Sequence, residues 1–262
     1  MLDKTAYLLV YHGSRDPRPA KEVSKLVQGV RHQMAMELAV SASSRATVMT
    51  RPPEPFVAAA ALELAPLSLE ETIAQEIVPK MQQQGKTHLQ VIPLFLLPGV
   101  HVQEDIPNAI LQAQEQVGHR FTIDLKSYLG SSPLMAQKIA STASPSLPFN
   151  SPSSAKIIIS HGSRRKGGNL PIATLGKQLK ANVAYWSVSP TLSEQVEALI
   201  AEGKQEIEII PYFLFPGGIT DAIAQQVHTL QTQFPQVRFE FGNPLSDRLS
   251  LADLILQEYI CL

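Results

Sequence analysis

The tetrapeptide His-Gly-Ser-Arg occurs twice, each time directly after an apolar run: YLLVYHGSR at Tyr7–Arg15 and IIISHGSR at Ile157–Arg164. A second matched pair follows, VIPLFLLPGVH at Val91–His101 and IIPYFLFPGGI at Ile209–Ile219. A third, weaker pair is LELAPLSLEET at Leu62–Thr72 and WSVSPTLSEQV at Trp186–Val196. The order is the same in both halves. A chain that repeats an ordered series of segments must build one set of supersecondary units twice. The expected architecture is therefore two tandem similar domains.

The copies differ in length. His12 and Pro93 lie 81 residues apart, whereas His161 and Pro211 lie 50 apart. The excess falls at Leu38–Phe56, LAVSASSRATVMTRPPEPF, whose prolines and small polar residues read mostly as a loop. The Ser/Pro-rich stretch Ser144–Ser154 reads as a linker. This gives residues 1–143 as the N-terminal domain, 144–154 as the linker and 155–262 as the C-terminal domain.

Within each half, β-type runs alternate with amphipathic helical patterns. Strands are expected at Tyr7–Tyr11, Val57–Leu62, Leu89–Phe95 and Phe121–Lys126, then at Lys156–Ser160, Ala184–Ser187, Glu206–Phe213 and Arg238–Phe241. Helices are expected at Pro17–Met36, Leu69–Gln84, Pro107–Val117 and Pro133–Ser141. Asp16 before Pro17 is an N-cap followed by proline at the first helical position. Ser68 with Glu71 fits a capping box. Alternating strands and helices imply an α/β fold, each domain a small parallel sheet flanked by helices, with a cleft between the two.

The bulk properties narrow the function. The 262 residues are 44% hydrophobic with a net charge of −1, so no global field favours nucleic acid or an anionic membrane. The single cysteine, Cys261, excludes an intrachain disulfide or a multi-cysteine metal site. The start MLDKTAYLLV lacks the pattern of a signal peptide, and no apolar run is long enough to span a bilayer. The expectation is a cytoplasmic protein with no membrane or nucleic-acid partner.

Parallel sheets bind ligands beyond the C-terminal ends of their strands. In the first half those ends carry His12, Glu63 and His101. Two imidazoles and a carboxylate suit a divalent first-row metal. The second half keeps only His161, with Ser187 and Ile219 at the positions of Glu63 and His101. A metal site retained in one copy alone explains the difference. The residues also allow plainer roles: a strand-end histidine can hydrogen-bond the backbone, and a carboxylate before a helix is common at a surface. His32, His88, His119 and His228 read as surface residues on helices or turns and carry no assigned role.

Gly/Ser loops before a helix supply N–H donors for anions, and arginine adds bidentate recognition of carboxylates. Ser14 and Arg15 in the first loop, and His161, Ser163 and Arg164 in the second, are the candidate substrate-binding residues. Arg18, Lys21 and Lys166 are as well explained as solvated charges.

Taken together, HGSR after the first strand, LELAPLS at the second, PLFLLPGVHVQEDIP at the third, and HGSR with PYFLFPGGITDAI in the second half resemble the CbiX/SirB sirohydrochlorin chelatases of the class II chelatase superfamily in their two-domain form. The resemblance implies a lyase-type enzyme that inserts Co²⁺ or Fe²⁺ into sirohydrochlorin, for cobalamin or sirohaem. It places the family's metal-binding histidines on His12 and His101 and its carboxylate on Glu63, as ligands and as candidates for the base that accepts pyrrole protons. The metal is a substrate, and no further cofactor is implied. With both halves in one chain, a monomer is expected. The rival readings are a non-catalytic metal or tetrapyrrole carrier and, less well supported, a phosphate-ester enzyme, which would need more than the anion loop present here.

Overall fold

The computed structural model describes residues 4–43, 54–141 and 151–260. It contains two four-stranded sheets, each wholly parallel. The first has the order β2-β1-β3-β4, with β1 at Thr5–Tyr11, β2 at Phe56–Ala61, β3 at His88–Pro93 and β4 at Thr122–Leu125. The second has the order β6-β5-β7-β8, with β5 at Ser154–Ser160, β6 at Asn182–Tyr185, β7 at Glu206–Pro211 and β8 at Arg238–Phe241. All eight expected strands are present, with ends shifted by at most two residues.

The central strands carry the cores. Ala6 to Val10 are buried without a break, as a strand covered on both faces requires. One face packs Leu8 and Val10 with Leu89 and Val91 against Ile73, Ile77, Met81, Ile106 and Ile110. In the second sheet Ile157, Ile159, Ile207 and Ile209 meet Val196, Leu199, Ile223 and Val227. Both cores thus draw on corresponding strands and helices.

The caps follow the sequence. Asp16 Oδ1 accepts from the Arg18 N–H at 2.9 Å, capping helix Pro17–Ser43. Ser68 and Glu71 form the capping box of the next helix, and those bonds hold the Glu71 carboxyl below its usual range. Its counterpart in the second half is a Thr191/Glu194 box.

Two expectations are corrected. Helix Pro17–Ser43 runs beyond Met36 into the segment read as an inserted loop; the middle of that segment, like most of the linker and Cys261, lies outside the described residues. The third helix begins at His101 with a π turn, His101–Asp105, and continues as Ile106–Val117, instead of starting at Pro107. Proline fits near the N-terminus of a helix, but here it sits one turn inside. It is tolerated because the Ile106 N–H already reaches back to the His101 carbonyl in an i→i+5 bond.

The two compact units are Met1–Ser132 with Ser250–Leu262, and Pro133–Leu249. Each unit keeps its sheet but includes one helix from the other half of the sequence. In the first unit, helix Leu251–Tyr259 packs on Pro17–Ser43: Ala252 faces Gly29, and Gln33 Nε2 donates to Asp253 Oδ1 at 2.6 Å. Glu258 accepts from the Ser132 hydroxyl at 2.8 Å. Helix Pro133–Ser141 belongs to the second unit.

Candidate metal centre

The site grows out of three chain ends at one rim of the first sheet. Past β1, the His12 carbonyl accepts from the Glu63 N–H at 2.9 Å, extending the β1–β2 ladder beyond the strands. That approach depends on Gly13, which has φ +93° and so lies where L side chains rarely go. A Cβ at Gly13 would stand 2.0 Å from the Glu63 carbonyl oxygen. The third arm comes from β3: Leu94 bonds back to Val10, the chain turns through Pro98 and Gly99, and His101 opens its helix.

These arms bring the three expected ligands together. Ligating atoms of His12, Glu63 and His101 all lie within 4.8 Å of one another. His12 Nε2 is 4.0 Å from Glu63 Oε2, and His101 Nδ1 is 3.8 Å from Glu63 Oε1. Both separations exceed hydrogen-bond range, so the carboxylate is committed to neither imidazole. The two rings meet edge to face at 4.8 Å between centroids, and Phe95 stands 6.4 and 6.0 Å from them. His12 and Glu63 are about half exposed, whereas His101 is 24% exposed. The cluster is therefore open on one side, unlike a closed four-ligand structural site.

Each histidine has its Nδ1 engaged. His12 Nδ1 lies 3.0 Å from the Gly13 carbonyl. A carbonyl only accepts, so Nδ1 carries the proton and Nε2 keeps its lone pair. His101 Nδ1 lies 2.7 Å from Asp105 Oδ2, with the same consequence. The sequence reading missed Asp105. The signal was there, since His101 and Asp105 are four residues apart, but placing the helix start at Pro107 hid their shared face. An open cavity of about 330 Å³ adjoins the cluster, bordered by Glu63, Ser68, Glu70, Asp105 and Asn108.

The second unit repeats the backbone without the counterparts of Glu63 and His101. Ser187 N–H donates to the His161 carbonyl at 2.9 Å, the counterpart of the Glu63–His12 bond. His161 Nδ1 lies 3.0 Å from the Gly162 carbonyl, as His12 does from Gly13. The Ser187 hydroxyl donates to the His161 carbonyl at 2.8 Å. Gly217 and Gly99 each accept from the N–H four residues on, which aligns Ile219 with His101. Ile219 packs against the core of its unit. Among the described residues, His12, Glu63 and His101 form the group able to hold a metal.

The remaining candidates divide. Ser14 and Ser163 use their oxygens to accept from the N–H two residues on, Asp16 at 3.0 Å and Arg165 at 3.1 Å, so both shape their loops. Asn169 fastens the second loop by bonding both the N–H and the carbonyl of Ser163, a contact the sequence reading did not include. Arg18 is held in a forked pair with Asp16, which lowers the Asp16 pKa. Arg15 and Arg164 are exposed at matched positions. His88 lies on β3 and not on a helix or turn, 3.3 Å from Asp124.

The described residues thus form two like parallel-sheet units, with an open His-Glu-His cluster at the rim of the first sheet. The CbiX family model matches residues 6–145 and again 155–260, and the chain belongs to that family. The sirohydrochlorin ferrochelatase of Bacillus subtilis (strain 168) is 22% identical over 246 residues, covering 89% of this chain and 83% of its own. The sirohydrochlorin cobaltochelatase of Priestia megaterium is 23% identical, covering 90% of this chain and 72% of its own. The solved structure of SirB from Bacillus subtilis with Fe3+ superposes with a TM-score of 0.72 at 19% identity, over 97% of this chain and 94% of that one. This solved neighbour confirms the two-domain fold.

Proposed function

We propose that this protein is a sirohydrochlorin chelatase, inserting Co²⁺ or Fe²⁺ into the tetrapyrrole. The observation that carries the reading is the convergence of His12, Glu63 and His101 within 4.8 Å at an open rim. The named activities of the ferrochelatase and cobaltochelatase relatives support it.

Metal insertion needs an ion held firmly enough to be delivered and loosely enough to leave. Two neutral imidazoles and a carboxylate leave coordination positions open for the incoming ring nitrogens. The ring must also lose two pyrrolic protons as the ion enters. With both Nδ1 atoms donating and the Nε2 lone pairs left for the metal, Glu63 is the group that accepts them, because its oxygens bond neither histidine. The net step releases two protons for each divalent ion inserted. Histidine binds metal only when neutral, so insertion weakens in acid.

Sirohydrochlorin carries eight carboxylates. Arg15, with Ser14, is the proposed contact for them on the first unit. His161, Ser163 and Arg164 form the corresponding proposed anion loop of the second unit.

The test is an anaerobic assay at substoichiometric protein with sirohydrochlorin and either Co²⁺ or Fe²⁺. Multiple turnovers establish the chelatase, and the rate ratio indicates the metal used. A spectral change that stops at one equivalent establishes a carrier instead. His12→Ala, Glu63→Gln and His101→Ala each abolish turnover; full activity in both histidine variants refutes the ligand assignment.

A further inference from the structure

The two histidines are oriented by different acceptors. His12 leans on a neutral backbone carbonyl at 3.0 Å, His101 on the Asp105 carboxylate at 2.7 Å. Two carboxylates compete for the His101 Nδ1 proton. Asp105 lies within hydrogen-bond range, whereas Glu63 Oε1 is 3.8 Å away. We propose that Asp105 is the positioning residue of the site: by taking the Nδ1–H of His101 it fixes the ring in the tautomer whose Nε2 lone pair is open to a metal, and it leaves Glu63 free. The proposal rests on reading His12, Glu63 and His101 as the ligand set.

Three observations support it. Charge-assisted hydrogen bonds are shorter and stronger than neutral ones, and carboxylate partners orient imidazole ligands and make them better donors. The π turn His101–Asp105 puts both residues at the opening of one helix, anchored by the i→i+5 bond from Ile106 to His101. Ile106 and Ala109 behind it are buried, so core packing fixes the helix that carries Asp105. The second unit supplies the control. The residues aligned with His101 and Asp105 are Ile219 and Ile223, and Ile223 is fully buried in the core. Where the ligand is absent, its partner carboxylate is absent too, and an apolar pair occupies both positions.

A structural role for Asp105 is countered by its position. Asp105 is exposed, it makes no side-chain bond that caps its helix, and its short contact is to His101. Its removal therefore changes the imidazole more than the fold.

The experiment uses the full chain and three variants, Asp105→Ala, Asp105→Asn and Asp105→Glu, with Co²⁺ alone as the probe. Long-range ¹H–¹⁵N spectra of the metal-free protein at alkaline pH report the His101 tautomer. The wild type is expected to show the Nδ1–H form, and Asp105→Ala a mixture. Cobalt binding is expected to weaken roughly ten- to a hundredfold in Asp105→Ala. Asp105→Asn, which keeps an acceptor oxygen, recovers most of that loss. In turnover, kcat falls while the KM for sirohydrochlorin stays put. An unchanged tautomer in Asp105→Ala, or cobalt affinity within twofold of wild type, overturns the proposal. So does a loss in Asp105→Asn as large as in Asp105→Ala. The tautomer and the cobalt titration do not need turnover, so a wild type inactive on sirohydrochlorin refutes the functional reading and leaves this test standing.

Discussion

Gly13→Ala is the sharpest test of how the site is built, because a matched glycine exists where the Glu63 and His101 counterparts are Ser187 and Ile219. Gly13 and Gly162 follow the two strand-end histidines with φ of +93° and +81°. An alanine at either pays the same kind of backbone cost, about 1–3 kcal/mol. The steric consequences differ. At Gly13 the new Cβ stands 2.0 Å from the Glu63 carbonyl oxygen, and real Cβ contacts essentially never fall under 3.0 Å. The Glu63 backbone must therefore retreat by about 1 Å, the difference between those two distances. At Gly162 the nearest atom is Tyr185 Cβ at 2.8 Å, so a few tenths of an ångström suffice. A misplacement of about 1 Å at a reacting centre costs on the order of a hundredfold in rate. Gly13→Ala is expected to lose roughly that much insertion activity and to bind Co²⁺ weakly. Gly162→Ala is expected to lose stability of the same order, about 1–3 kcal/mol, with cobalt affinity unchanged. Thermal melts and cobalt titrations on both variants decide it. Wild-type cobalt affinity in a folded Gly13→Ala protein, or equal losses of affinity in both variants, refutes the account of Gly13 as the residue that seats Glu63.

The alignment of the two units predicts that Ser187→Glu with Ile219→His, beside the existing His161, creates a second cobalt site; a stoichiometry that stays at one equivalent shows the match to be wrong. Leu254, fully buried on the last helix, belongs to the first unit. Leu254→Ala should cost about 2–5 kcal/mol there, with hydrogen exchange accelerating along Pro17–Ser43 before the β6-β5-β7-β8 sheet. The phenol of Tyr259 is pushed up to about 12 by burial. An unfolded tyrosine releases its proton near pH 10, so above that the folded state binds more protons and stability falls as pH rises toward 12. Urea midpoints across that window should fall less in Tyr259→Phe than in wild type, and parallel curves would contradict the burial argument.

The sequence by itself determined the repeat, and with it the two parallel sheets. Continuous apolar runs such as YLLVY and KIIIS fit only strands covered on both faces, and their spacing leaves room only for helical crossovers. The caps at Asp16 and Ser68 were legible because an N-cap is chemistry between residues two or three apart. His12, Glu63 and His101 were legible as a set because parallel strands put their C-terminal ends on one rim. The tertiary structure alone decided what those residues do to one another. That Gly13 admits the Glu63 carbonyl, and that Asp105 and not Glu63 takes the His101 proton, are matters of ångströms between loops distant in sequence or within a π turn that periodicity does not announce. The exchange of helices was equally hidden. An amphipathic helix shows in its sequence that one face must be covered, but not which sheet or helix will cover it. Here the surface offered by Gly29 and Gln33 settles the place of Leu251–Tyr259, more than two hundred residues along the chain.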